Sequence, residues 1–102
     1  MSLKGKWEVV VHTYMGDQSS FHELDVEGNN VSGTVTDKGN GNTVDVVDGK
    51  FDDGKFSYGF TLKIPIGELD FTINGELVED GKIKGQSVNA MGSFDFDGTL
   101  LV

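Results

Sequence analysis

Two histidines and a scatter of aspartates are the side chains best able to move a proton or hold a metal ion in this chain. His22 shares parity with Leu24 and Val26 along an alternating stretch, which points its imidazole toward the apolar side. An imidazole there needs a partner, because an unmet buried polar group costs about 1–3 kcal/mol. Thr13, Tyr58 or a backbone carbonyl could supply it. His12 shares parity with Glu8, opposite Trp7, Val9 and Val11, and is expected to face solvent. A metal held by both histidines would need a bulge to bring them to one face, so no metal and no cofactor is expected. Asp45, Asp48, Asp70, Asp95 and Asp97 fall mostly on the polar parity, which reads as solvated surface and not as a glycosidase-type pair. No Gly-x-Ser-x-Gly elbow frames a nucleophile. The glycine-rich stretch 37–42 lacks the strand-to-helix context of a phosphate cradle. No catalytic residue is named on this reading.

The elements that must carry these residues are strands. Period-2 alternation is cleanest in Phe56-Tyr58-Phe60-Leu62-Ile64, in Leu69-Phe71-Ile73-Leu77 and in Phe94-Phe96-Leu100, with mostly polar residues between. It places strands at about 5–14, 19–27, 31–37, 43–51, 55–64, 68–77, 82–89 and 93–101, and no segment keeps a helical period. A weak repeat joins residues 26–33, 51–58 and 78–85: an apolar residue, an acid, a turn dipeptide, a polar residue, an apolar residue. Asp53-Gly54 and Asp80-Gly81 are strong hairpin signals. The expectation is an all-β meander, one domain over residues 1–102.

Five glycines argue that the meander closes. Gly33, Gly49, Gly75, Gly85 and Gly98 sit inside strands on the apolar parity. There they either let a strand bend sharply or make room for neighbouring rings. A closed eight-stranded antiparallel up-and-down barrel is therefore expected ahead of a sandwich. The chain's 17 acids, eight lysines and absence of arginine give a formal charge of −9, spread evenly along its length. Such a field repels phosphate backbones, and nucleic acid is not an expected partner. There is no Cys, and no apolar run is long enough for a membrane span. No basic segment precedes a short apolar run, which makes the cytoplasm the expected location. Met1-Ser2-Leu3 is given no role.

Gly5-Lys6-Trp7 at the start of the first strand resembles the Gly-x-Trp that opens lipocalins and other calycin-type barrels. Together with Met15-Gly16, Val31-Ser32-Gly33-Thr34-Val35, Val47-Asp48-Gly49, Pro65-Ile66-Gly67 and Gly98-Thr99, it makes the chain similar to small lipocalin-like proteins of bacteria. The resemblance implies the barrel fold, with Trp7 plugging one end, and carries no settled activity. An export signal, greater length and disulfides, usual in secreted lipocalins, are missing. The biotin-contacting set of avidin-type barrels and the Gly-x-Trp-x-Gly-x-Gly of haem-binding barrels are not matched.

Two functions follow from a container. The barrel holds a small hydrophobic or aromatic molecule, or it is a packed, non-catalytic interaction module, such as a homodimer. An enzyme using His22 stands behind both. Trp7, Thr13, His22, Tyr58, Phe60, Phe71 and Phe96 are the expected ligand-binding residues. Alternate connections of a meander share an end, which gathers Met15, Ile66 and Met91, each before a glycine, into one rim. Either a pocket opens there, away from the tight turns at Gly28, Gly54 and Gly81, or the three side chains fold inward as a lid on a sealed core, or they join two copies through the rim.

Overall fold

The structure, a computed structural model, describes residues 3–39, 41–65 and 67–101. Nine strands follow in order: β1 (Gly5–Thr13), β2 (Gly16–Glu27), β3 (Asn30–Asp37), β4 (Thr43–Asp45), β5 (Val47–Asp52), β6 (Lys55–Ile64), β7 (Gly67–Glu79), β8 (Lys82–Asn89) and β9 (Gly92–Leu100). Every pairing is antiparallel, and the described residues contain no helix. The first strand pairs with the last, from Trp7↔Leu100 to Val11↔Phe96, while β2 pairs with β3, so the sheet has closed on itself. The fold is the expected eight-walled meander barrel, since β4 and β5 are two halves of one wall.

That wall differs from the unbroken strand read over 43–51. Val44 and Val46 pack against the core on one parity, and Gly49 and Phe51 turn inward on the other. The phase slips between them: Val47 is exposed and Asp48 takes a left-handed φ of 53°. The register shift between Val47 and Lys50 is the resulting bulge. Consequently β4 ladders only with β3, and β5 carries the wall across from β3 to β6.

The two ends are built differently. Asp53 and Gly54 have φ of 51° and 80°, the paired positive values of a tight hairpin turn. The turn positions equivalent in the sequence repeat, Asn29, Gly54 and Gly81, also share a structural task. Their carbonyls accept the N–H of Phe51, Leu77 and Leu100 at 2.8–2.9 Å, which ties successive hairpins together. Trp7 lies fully buried at this end, and its indole N–H donates to the Leu3 carbonyl at 2.7 Å. Leu3, given no role from sequence, is itself buried and helps close the end.

Curvature comes from the inward glycines, which serve both of the uses expected of them. A Cβ on Gly33 would stand 1.8 Å from the Glu23 carbonyl oxygen, and one on Gly85 2.0 Å from that of Asn74. Backbone approaches backbone there more closely than any side chain allows. At Gly75 the missing Cβ makes room for rings, since it would meet Phe56 Cζ at 2.7 Å and Phe96 Cζ at 2.9 Å. Gly85→Ala should therefore destabilise the barrel by about 3 kcal/mol or more. Gly39→Ala, in a loop of ordinary φ where a Cβ would meet only the movable Asp37 carboxylate at 3.2 Å, should cost under about 1 kcal/mol. Urea unfolding of the two variants checks this, and equal midpoints would remove the close approach as the cause of curvature.

Candidate functional site

The barrel interior is filled in one half and hollow in the other. Trp7, Val9, Leu24, Phe56, Tyr58 and Phe96 are buried in the filled half with Leu3. Above them lies a cavity of about 260 Å³ that reaches the opposite end, with walls that include Val11, Val35, Phe60, Leu62, Phe71 and Ile73. Phe60 and Phe71 stack with centroids 5.0 Å apart and planes 10° from parallel, presenting flat aromatic surface. Tyr14, Met15, Met91 and Phe94 belong to the mouth.

A polar chain forms part of the floor. His22 is 1% exposed and sets its ring edge-on against Phe60. Its Nε2 lies 2.8 Å from Ser20 Oγ and its Nδ1 2.5 Å from the Tyr58 hydroxyl. A neutral imidazole has one donor and one acceptor nitrogen, and two hydroxyls satisfy them in either tautomer. Burial keeps the group neutral by pushing the His22 pKa down to about 3. The same burial raises the Tyr58 phenol above its ordinary value, so its proton stays in place.

His12 is the opposite case. It stands exposed on the outer face, where Nε2 meets Asp97 at 2.7 Å and Nδ1 meets Asp17 at 3.0 Å. Hydrogen bonds to Asp97 and then Asp17 raise its pKa. The two histidines lie on opposite sides of the wall, and among the described residues no cluster suits a metal ion.

Of the residues singled out by sequence, Thr13, His22, Phe60, Phe71, Met15 and Met91 come together around the cavity. Trp7, Tyr58 and Phe96 do not line it: they pack the filled half, and Tyr58 meets the floor through its hydrogen bond to His22. Ile66 lies outside the described residues. The Thr13 hydroxyl is committed to its own turn, donating to the Gly16 carbonyl at 2.6 Å and accepting from Met15 N–H. Sequence reasoning missed Ser20, Asp37, Ser87 and Asn89. Ser20 was within reach of it, sitting two residues before His22 on the same inward parity.

These features define the class: an up-and-down β-barrel with a cavity open at one end, a fold that the lipocalin-like label fits. Among solved structures the chain is similar to a redesigned β-barrel, with a TM-score of 0.73 and 12% identity over 98% of this chain and 91% of that one. At that identity the likeness speaks to the fold alone. No family model and no curated protein matches the chain.

The depressed His22 pKa makes stability depend on pH. The unfolded imidazole takes up a proton near 6.5 and the folded one only near 3, so the native state is disfavoured as pH falls through that window. Each pH unit within it costs about 1.4 kcal/mol. His12 runs the other way: its stabilisation is present below 6.5 and lost as pH rises through its raised folded value. His22→Gln should be less stable than the parent at neutral pH by about 1–3 kcal/mol. That gap should close as pH drops from about 6.5 toward 4, and a gap independent of pH would mean that His22 is not held neutral.

Proposed function

We propose that this protein is a lipocalin-like binding protein that takes up a small hydrophobic or aromatic molecule through the rim end of its barrel. One observation carries the reading: the interior is not packed through, and the hollow half opens beneath Met15 and Met91. Ten of its eighteen lining residues are aliphatic or aromatic and the other eight place polar groups among them, the pattern of an apolar pocket with polar contacts. A volume of about 260 Å³ falls just below the roughly 300–1,000 Å³ of sites for drug-sized molecules. The occupant is accordingly small, on the scale of one or two fused rings, and the stacked Phe60–Phe71 pair favours a flat one.

The rim itself favours a second reading. Tyr14, Met15 and Met91 are 73%, 77% and 59% exposed, unusual for large apolar residues at turns. A second copy of the chain covering this end would account for them. On that reading the protein sediments as a dimer at high concentration, and Met15→Ser with Met91→Ser returns it to a monomer.

The binding reading has its own test. 2-Naphthylmethanol should raise the melting temperature of the wild-type protein in a concentration-dependent way, by about 2.7 kcal/mol of added stability at a hundredfold excess over Kd. Val11→Phe places a ring in the cavity wall, and should keep the fold while abolishing the shift. A shift that survives Val11→Phe would place the probe elsewhere. The absence of any shift across a panel of neutral bicyclic aromatics would leave the rim contact as the better account.

A further inference from the structure

We infer that the cavity selects flat aromatic molecules bearing an amine over acids of the same shape. This rests on the binding reading above and gives its ligand a chemical class. The first reason is what the walls lack. None of the eight lysines lines the cavity, and the chain has no arginine. A carboxylate or phosphate entering it would shed water and find no cation in return, which is strongly unfavourable. Gln18, Ser87 and Asn89 offer hydrogen bonds but no charge. The floor adds none either, because both nitrogens of the His22 imidazole are already taken by hydroxyls and burial holds the ring neutral.

The second reason is what the mouth supplies. Asp37 at the end of β3 is the one acidic residue of the lining, and among the described residues no lysine pairs with it. Its place is fixed by its own loop. Asp37 Oδ1 accepts the Gly39 N–H at 2.7 Å, Asp37 N–H donates to the Asn42 carbonyl at 2.9 Å, and its carbonyl accepts the Gly41 N–H at 2.8 Å. The carboxylate therefore keeps accepting capacity for an ammonium group. The Tyr14 and Phe94 rings, 5.8 Å apart, also line the mouth and offer faces that attract a cation. Beyond contact range, the formal charge of −9 favours cations and opposes anions at every approach. The aromatic body then lies along Phe60 and Phe71 with its amine left at the mouth.

Three probes of one shape test this: 2-naphthylmethylamine, 2-naphthylmethanol and 2-naphthoate, titrated calorimetrically at pH 7.5. At low salt the amine should bind tightest, the alcohol next, and the acid at least about tenfold more weakly than the amine. The spread should narrow when salt is raised to about 0.3 M. Asp37→Asn keeps an oxygen for the Gly39 N–H, and so should keep the fold while bringing the amine to the level of the alcohol. Naphthoate binding as well as the alcohol would overturn the inference. So would an amine preference untouched by both Asp37→Asn and salt. In either case alcohol binding would leave the binding reading standing, whereas failure of all three probes with wild type would remove both.

Discussion

The close approach of backbones at a few inward glycines sets everything else in this barrel. With no Cβ at Gly33, Gly49 or Gly85, neighbouring strands come within distances that would drive a methyl group into a carbonyl oxygen. The sheet can then bend hard enough to bring β1 against β9. Tight curvature also decides the contents. Where strands crowd at the tight-turn end, Trp7, Phe56, Tyr58 and Phe96 are enough to fill the cross-section. The carbonyls of Asn29, Gly54 and Gly81 then lock that end by tying each hairpin to the next. Toward the rim Val11, Val35, Ser20 and Ser87 share the inward face with the stacked Phe60 and Phe71, and the interior hollows out. One constraint thus produces both the plug and the cavity.

Most of this architecture was legible because a half-buried strand writes its two faces into alternate residues. The stretch from Lys55 to Ile64 announces its inward set directly, and Asp53-Gly54 demands the turn that precedes it. The break at Val46 was also written, as a change of phase between Val44–Val46 and Gly49–Phe51, but a reading that counts apolar density sees only a longer strand. Leu3 was passed over for a different reason. Its burial depends on Trp7 turning an indole N–H back to meet it, and no local pattern encodes a contact made by the plug.

The site was legible in outline and not in depth. Parity can say that Trp7, Tyr58 and Phe96 point inward, but it cannot say at which height of a sheared barrel they stand. That height is what separates packing residues from lining ones. Serine and asparagine were invisible for a related reason. On an inward face they look like weak core positions until a neighbour such as His22 shows what their hydroxyl or amide is for. Ser20, Ser87 and Asn89 supply polar contacts in a cavity where the larger polar group, His22, has already been used up by its own partners.

That use of His22 bears on what the cavity can do chemically. Ser20 Oγ and His22 Nε2 lie 2.8 Å apart, a distance at which a histidine base activates a serine nucleophile in hydrolytic sites. The surroundings work against such a role. A base must gain a proton in the transition state, and burial that lowers its pKa to about 3 makes that gain unfavourable at neutral pH. Behind the imidazole stands a neutral Tyr58 hydroxyl, where hydrolytic triads place a carboxylate to stabilise the imidazolium. Ser20 and His22 also sit within β2, whose backbone pairs with β1 on one side and β3 on the other, so the strand that carries them presents no helix N-terminus to a developing oxyanion. The same three groups instead make a well-satisfied polar floor: two hydroxyls and one neutral ring, each holding the next, with no charge to repel an apolar guest. A floor of that kind fits the binding role proposed above.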